Sequence, residues 1–332
     1  MTSVNPVSRA PLVGIARMAS ESERLLEKRV ATYFEMEAKS ILNRCSNEDM
    51  PFYWTINPFR GCEFGCKYCY ARYTHEYMGM EDGADFEQKI YSKKDAAAVL
   101  ARELSPAKVR HRPVAMGTAT DPYQPAERRF LTTRRILEVL AGQRGLALSI
   151  TTKSDLVVRD IDLLRRVQEQ GSVHVNLSIT TLKPRLARLL EPKAATPRKR
   201  LAAVRTLAEE GIPAGVFIMP VIPFLTDDRV DLEQIAGRAK EAGARYLAAC
   251  PLFLMPSAQR VFLPFIRENF PKLIGQYRKL FGSSAYLGKE YTQKIQKMMS
   301  DVCQKYGLNS RCLESSVPEW TGEPEQTVLP FG

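Results

Sequence analysis

From Val114 onwards, apolar and polar positions alternate in two repeating ways. Short runs rich in Val, Ile and Leu end in polar loops. Longer stretches follow in which apolar residues recur at three- and four-residue intervals, the spacing of one helix face. The first pattern predicts strands at Val114–Thr118, Ala147–Thr152, Val173–Thr180, Pro213–Ile222 and Tyr246–Phe253. The second predicts helices at Thr132–Ala141, Val158–Gln170, Pro197–Glu210 and Asp231–Ala242. An earlier strand is expected at Met50–Phe59, followed by a loop and a helix opening over Tyr70–Met78.

Strands that alternate with helices pair in parallel through right-handed crossovers. Six such units give an α/β fold, a partial (βα)6 barrel over residues 50–255. Chemistry in barrels of this kind gathers at the C-terminal ends of the strands. In Ser20–Asn43, Leu25, Leu26, Val30, Tyr33, Phe34 and Ile41 recur at near-helical intervals, which predicts an N-terminal helical extension over residues 1–49. Gln259–Phe281 and Tyr286–Tyr306 read as helices and Asn309–Gly332 as irregular. Residues 256–332 are therefore expected to form a C-terminal helical cap over the barrel's open side.

Composition narrows the class. The 332 residues are 45% hydrophobic and 26% charged, an ordinary globular balance. No apolar run is long enough to cross a bilayer, and the N-terminus lacks a basic-then-apolar secretory pattern, so a cytoplasmic protein without membrane partners is expected. Seven cysteines, three of them crowded together, argue against a disulfide scaffold. The net charge of +11, with pI near 9.3, favours an anionic partner such as nucleic acid, though a merely solvated basic surface gives the same figure. Basic residues cluster at Arg128-Arg129, Arg134-Arg135, Arg165-Arg166 and Arg198-Lys199-Arg200. Only the last group sits beside a strand end, where it can meet a phosphate backbone.

The crowded cysteines lie in Gly61-Cys62-Glu63-Phe64-Gly65-Cys66-Lys67-Tyr68-Cys69-Tyr70, spaced Cys-x3-Cys-x2-Cys. Three thiolates can hold three irons of a cubane 4Fe–4S cluster and leave the fourth iron open to a small chelating molecule. A closed zinc site from Cys62, Cys66, Cys69 and His75, or one using Cys45, is the alternative. His174, inside an apolar run, reads as a core residue; His111 stands alone. Polar residues follow successive strands: Thr118-Ala119-Thr120-Asp121, Thr151-Thr152-Lys153-Ser154, and Ser178-Ile179-Thr180-Thr181. Each can serve loop backbone, but together they suit a ligand bearing a carboxylate, an ammonium and a ribose.

The cysteine run with its aromatic before the third cysteine resembles the radical SAM superfamily. Thr120-Asp121-Pro122-Tyr123-Gln124-Pro125, Thr152-Lys153-Ser154 and Leu190-Glu191-Pro192 narrow the resemblance to its spore photoproduct lyase-like branch, over about residues 50–255. The resemblance implies that Cys62, Cys66 and Cys69 bind the cluster and that S-adenosylmethionine chelates the open iron. Reductive cleavage of that molecule would then yield a 5′-deoxyadenosyl radical. It further implies that the Tyr68 backbone meets the adenine, Lys153 the carboxylate, and Ser178 the ribose or methionyl group. Thr120 and Asp121 occupy a position that contacts the same cofactor, and Arg200 is a second candidate for its carboxylate. A one-electron reductant of flavodoxin or ferredoxin type is implied as a partner.

One departure stands out. Spore photoproduct lyases carry a hydrogen-donor cysteine near the end of the second strand, and this chain has none between Cys69 and Cys250. Tyr70 and Tyr123 are the candidates for radical relay. Cys45, Cys250, Cys303 and Cys312 are candidates for an auxiliary cluster. The expected function is hydrogen abstraction from a nucleic acid, in repair or modification. The alternatives are a peptide or small-molecule substrate, or a zinc-stabilised nucleic-acid-binding protein without catalysis.

Overall fold

In a computed structural model, residues 12–27, 31–109 and 112–310 are described. Their strands are β1 (Glu23–Glu27), β2 (Thr32–Met36), β3 (Leu42–Arg44), β4 (Trp54–Ile56), β5 (Phe59–Arg60) and β6 (Lys89–Lys93), then β7 (Val114–Met116), β8 (Ala147–Thr152), β9 (Ser172–Ser178), β10 (Ala214–Val221), β11 (Tyr246–Pro251) and β12 (Asn309–Ser310). The larger sheet runs in the order β12-β11-β10-β9-β8-β7-β4-β3. Within it β4, β7, β8, β9, β10 and β11 are mutually parallel, the six strands of the expected barrel wall. The register pairs Ile56 with Met116, Met116 with Ile150, and Thr152 with Leu177, so the loops that follow these strands emerge along one rim.

Alternation along each strand decides which side chains face the helices. In β9, Val173, Val175 and Leu177 are fully buried in the main core. The helix Ile161–Gln170 meets that core with Leu163, Leu164 and Val167, the spacing of a single helix face. Each fully buried aliphatic of this kind contributes roughly 1.5–3 kcal/mol. The opposite faces of β8 and β9 carry polar side chains. Asn176 Nδ2 donates to Ser149 Oγ (2.9 Å) and Thr151 Oγ1 (3.2 Å), and its Oδ1 accepts from the Tyr246 hydroxyl (2.6 Å). His174 lies on this polar side, half-buried near the Tyr246 ring, rather than in the apolar core.

The N-terminal expectation is corrected. Among the described residues of 20–43 no helix continues past Ser20; the helix Gly14–Ser20 is followed by β1, β2 and β3. The smaller sheet, in the order β1-β2-β6-β5, takes in two of these strands. Thr32, Tyr33 and Phe34 are β-branched or aromatic, types that fit a pleated surface, and β6 supplies a parallel partner from Thr32↔Lys89 to Met36↔Lys93. A short apolar cluster fits either period, and here tertiary pairing decides. The Met50–Phe59 strand is interrupted for a plainer reason: Pro58 has no N–H to give a ladder, and the chain leaves β4 for β5 at that point.

The C-terminal region is helical as expected, but broken. Pro256–Asn269 ends before Pro271, a 3-10 turn spans Pro271–Leu273, and Ile274–Phe281 and Lys289–Tyr306 follow. Pro256–Asn269 packs against the 3-10 turn Tyr70–Arg72 beside the cysteines. No described helix is long and apolar enough to cross a membrane. His111 and Cys312 lie outside the described residues.

Candidate active site

The cysteine loop leaves β5 at Gly61, whose φ of +78° suits glycine. A Cβ there would stand 2.8 Å from the carbonyl oxygens of Phe86 and Lys89. The Gly61 carbonyl accepts from Thr120 Oγ1 (2.6 Å) and Gln124 Nε2 (3.0 Å), and Gln124 Oε1 accepts from Glu63 N (2.9 Å). Tyr33 of the smaller sheet donates to Glu63 Oε2 at 2.8 Å. Arg72, buried, donates to the Cys66 carbonyl (3.0 Å) and pairs with Glu87 (2.7 Å). On the remaining side, Lys67 N donates to the Leu190 carbonyl at 2.9 Å. The loop is thus fastened by the second strand end, the smaller sheet, its own following turn and the segment after β9.

Cys62 and Cys66 are buried and Cys69 is half-buried. Burial pushes the Cys62 thiol well up, and the charges of Asp121, Cys66 and Cys69 add to it. Burial likewise pushes Cys66 up to about 12 and raises Cys69, against the pull of Arg72. Three thiols that disfavour one another's charge in a desolvated site suit a cation that neutralises them. A single zinc gathers its sulfurs on one ion, whereas a cubane takes each thiolate on a separate iron. His75 is spent elsewhere: Nε2 lies 2.9 Å from the Lys89 carbonyl, and burial lowers its pKa to about 4.

Beside Cys66 lies a buried polar network. The Tyr68 hydroxyl donates to Glu191 and lies 3.1 Å from Thr180 Oγ1, which donates to Glu191 Oε1 at 3.0 Å. Arg200 pairs with Glu191 and donates to the Ser178 carbonyl (2.7 Å) and the Ala195 carbonyl (2.8 Å). Burial alone would raise the Glu191 pKa; Arg200 and Lys153 outweigh it and hold the carboxyl below its usual value. Arg200 is therefore engaged within the protein on all sides of its guanidinium. Lys153 is not. Its ammonium lies 5.7 Å from the Tyr68 ring centre, and although burial would lower its pKa, Cys66 and Glu191 raise it.

Thr120 and Asp121 work as fasteners. Asp121 accepts from Thr152 Oγ1 (2.6 Å), Lys153 N (2.8 Å) and Tyr123 N (2.9 Å), tying the second strand end to the third. Ser178 is buried at the end of β9. The two tyrosines differ. Tyr70 is 38% exposed at the rim, donates to the Thr118 carbonyl, and lies 5.3 Å from the Phe253 ring. Tyr123 is fully buried in the main core, beside the ion pairs of Asp160, Glu127 and Arg159. Cys303 is packed in that core, Cys250 lies on β11, and Cys45 directly follows β3 with its Sγ 3.6 Å from the Asn47 carbonyl, so the described members of the auxiliary set sit on separate elements. Of the basic pairs, Arg134 is bound to Asp160 and Asp162, and Arg165 to Glu210.

The sequence places Gln124 and Glu191 in motifs and Thr180 among the strand-end polar residues without assigning them a role, and it does not mark Arg72. Glu191 left a further signal: it is the lone acid in a basic stretch, which marks a charge held for a buried partner.

A model of the radical SAM superfamily matches residues 56–235. An uncharacterized protein of Mycobacterium tuberculosis (strain ATCC 25618 / H37Rv) is 35% identical over 91% of this chain and 89% of its own. Another, of Methanocaldococcus jannaschii, is 33% identical over 73% of this chain and 84% of its own. Spore photoproduct lyase complexed with dinucleoside spore photoproduct shares the fold, with TM-score 0.65 at 14% identity over 93% of this chain and 87% of that one. The family match spans more than half of the chain, which belongs to the radical SAM superfamily, enzymes that use a 4Fe–4S cluster and S-adenosylmethionine.

Proposed function

We propose that Cys62, Cys66 and Cys69 each bind one iron of the cluster, and that the enzyme abstracts hydrogen from a nucleic acid in repair or modification. The observation that carries the first part is the loop itself: three thiols, desolvated, mutually repelling and fastened from four sides. Bound there, the cluster supplies the electron that cleaves S-adenosylmethionine to a 5′-deoxyadenosyl radical. The chain's own part is binding and orientation. The Lys153 ammonium, which forms no ion pair among the described residues while Arg72 and Arg200 do, takes the carboxylate of S-adenosylmethionine. Thr120 ties the second strand end to the cysteine loop, Asp121 ties it to the third strand end, and Ser178 presents its hydroxyl at the fourth. Arg200 acts through Glu191 and Tyr68 as a positioning residue.

The nucleic-acid reading is supported by the net charge of +11 and by exposed Arg128 and Arg129, which follow the loop at the second strand end. It also draws on the solved lyase with its dinucleoside ligand, which shares the fold.

Anaerobic reconstitution followed by dithionite and S-adenosylmethionine tests the chemistry: four irons per chain and 5′-deoxyadenosine are expected, and Cys66→Ala should abolish both. Anisotropy with labelled oligonucleotides tests the substrate. Affinity should drop at least about tenfold between 50 and 200 mM salt. Protein without iron sinks the first reading; salt-independent or undetectable binding sinks the second.

A further inference from the structure

The stretch from Lys183 to Arg200 holds seven basic residues and one acid. The acid, Glu191, is buried against Arg200, so neither of those charges reaches solvent. The remaining six cations are all exposed. Lys183 pairs with Asp231, and Lys199 lies 3.8 Å from Asp155. Arg185, Arg188, Lys193 and Arg198 form no ion pair among the described residues. Leu186 and Leu189, half-buried on the helix Pro184–Leu190, lie among them.

This same stretch backs the cysteine loop. Besides the bond from Lys67 N to the Leu190 carbonyl, Lys193 N donates to the Phe64 carbonyl at 3.3 Å. A Cβ on Gly65 would meet Pro192 Cγ at 3.5 Å. A single layer of chain therefore lies between buried Cys66 and a field of unneutralised, solvent-facing cations.

We propose that this face docks an acidic one-electron carrier protein of flavodoxin or ferredoxin type. The proposal rests on the placement of the cluster on Cys62, Cys66 and Cys69. The carrier loses one electron, the cluster gains it through the Cys66 side of the loop, and no atom is transferred. Charge complementarity selects an acidic partner, steers its approach and releases it quickly. Redox encounters need little area, less than about 1,200 Å², which one short helix and its following loop supply. A polynucleotide fits this place less well. The loop and the buried Tyr68–Thr180–Glu191–Arg200 network stand between the patch and the polar interior of the barrel, so a strand held here brings no base inside.

The test is the charge reversal Arg185→Glu with Lys193→Glu and Arg198→Glu. Arg188 is left alone because its Nη1 holds the Pro192 carbonyl at 3.0 Å. Two anaerobic measurements are made on reconstituted protein: the rate of cluster reduction by reduced flavodoxin or ferredoxin, and carrier binding by calorimetry. Wild-type protein should bind at least one carrier and lose rate as salt rises. The triple variant should be reduced by that carrier at least tenfold more slowly at low salt and bind it more weakly. Its reduction by dithionite, and its 5′-deoxyadenosine yield with dithionite, should match wild type. An unchanged carrier rate in the variant overturns the proposal, as does loss of oligonucleotide binding with carrier binding intact. Wild-type protein that yields no 5′-deoxyadenosine with dithionite brings down the underlying reading as well, and that failure is visible before any variant is made.

Discussion

Glu191 and Arg200 are 2% and 1% exposed, and among the described residues each has only the other as an ion-pair partner. Taking one away leaves a bare charge in a desolvated site, a loss of about 3–5 kcal/mol. Arg200→Met should therefore destabilise the protein by that amount in urea unfolding, and Arg200→Met with Glu191→Leu should recover a large part. A single-variant cost below about 1 kcal/mol would show that the pair is not what holds the segment after β9. His75 gives the pH-dependent counterpart. Its folded pKa, lowered by burial to about 4, lies below the ordinary value of 6.5. The unfolded chain then takes up a proton that the folded one refuses, so stability falls as pH drops from about 6.5 to 4, by at most about 3 kcal/mol, and is flat above. Melting curves of His75→Gln should show a shallower fall than wild type across that window. The cysteine loop was legible as a candidate site because metal ligation demands thiolates at short spacing. The partner of Glu191 was not, because nothing local says which of the neighbouring cations a lone acid meets. Tyr123 shows the reverse: its place in a polar motif suggested chemistry, whereas its depth in the core was set by contacts that sequence spacing does not carry.

At the scale of elements, the repeating units from β7 to β11 were readable because each pairs an apolar strand with an amphipathic helix of ordinary length, two periods that hardly overlap. The short pieces were not. β2 needs β6 beside it before its residues have a reason to extend, and β6 lies 53 positions further on by the register Thr32↔Lys89 less the four strand positions, a separation no local window spans. The element that matters most for the site is the loop after β7. Gln124, fully buried, donates to the Gly61 carbonyl and to Thr120 Oγ1 (3.0 Å each) and accepts from Glu63 N. Gln124→Leu keeps the volume and strips all three bonds, at about 1–3 kcal/mol for each buried bond lost, while Thr120 Oγ1 still donates to the Gly61 carbonyl. The expected outcome is a protein that folds with lower thermal stability and retains fewer irons per chain after anaerobic gel filtration. Iron retention equal to wild type would show that the second strand end does not hold the cysteine loop in place.

For the whole molecule, the cysteine loop shares one apolar cluster with the C-terminal helices. Cys62, Phe64, Cys66, Tyr68 and Ala71 pack together with Leu254, Phe262, Phe265 and Tyr277. Phe262 is fully buried at the centre, with its ring 5.2 Å from that of Tyr277. The helices are thus part of the wall that keeps the loop dry, and damage to them should be felt at the thiols. Phe262→Ala opens a cavity on that side and should cost about 3–5 kcal/mol. Leu232→Ala, on the helix Arg229–Glu241 in the separate main core, should cost a similar 2–5 kcal/mol without touching the loop. If the cap supports the site, the first variant loses iron during anaerobic desalting and the second keeps it, even where their melting temperatures fall together. Equal loss of iron in both would mean that global stability alone governs the cluster, and that the C-terminal helices have no particular part in holding it.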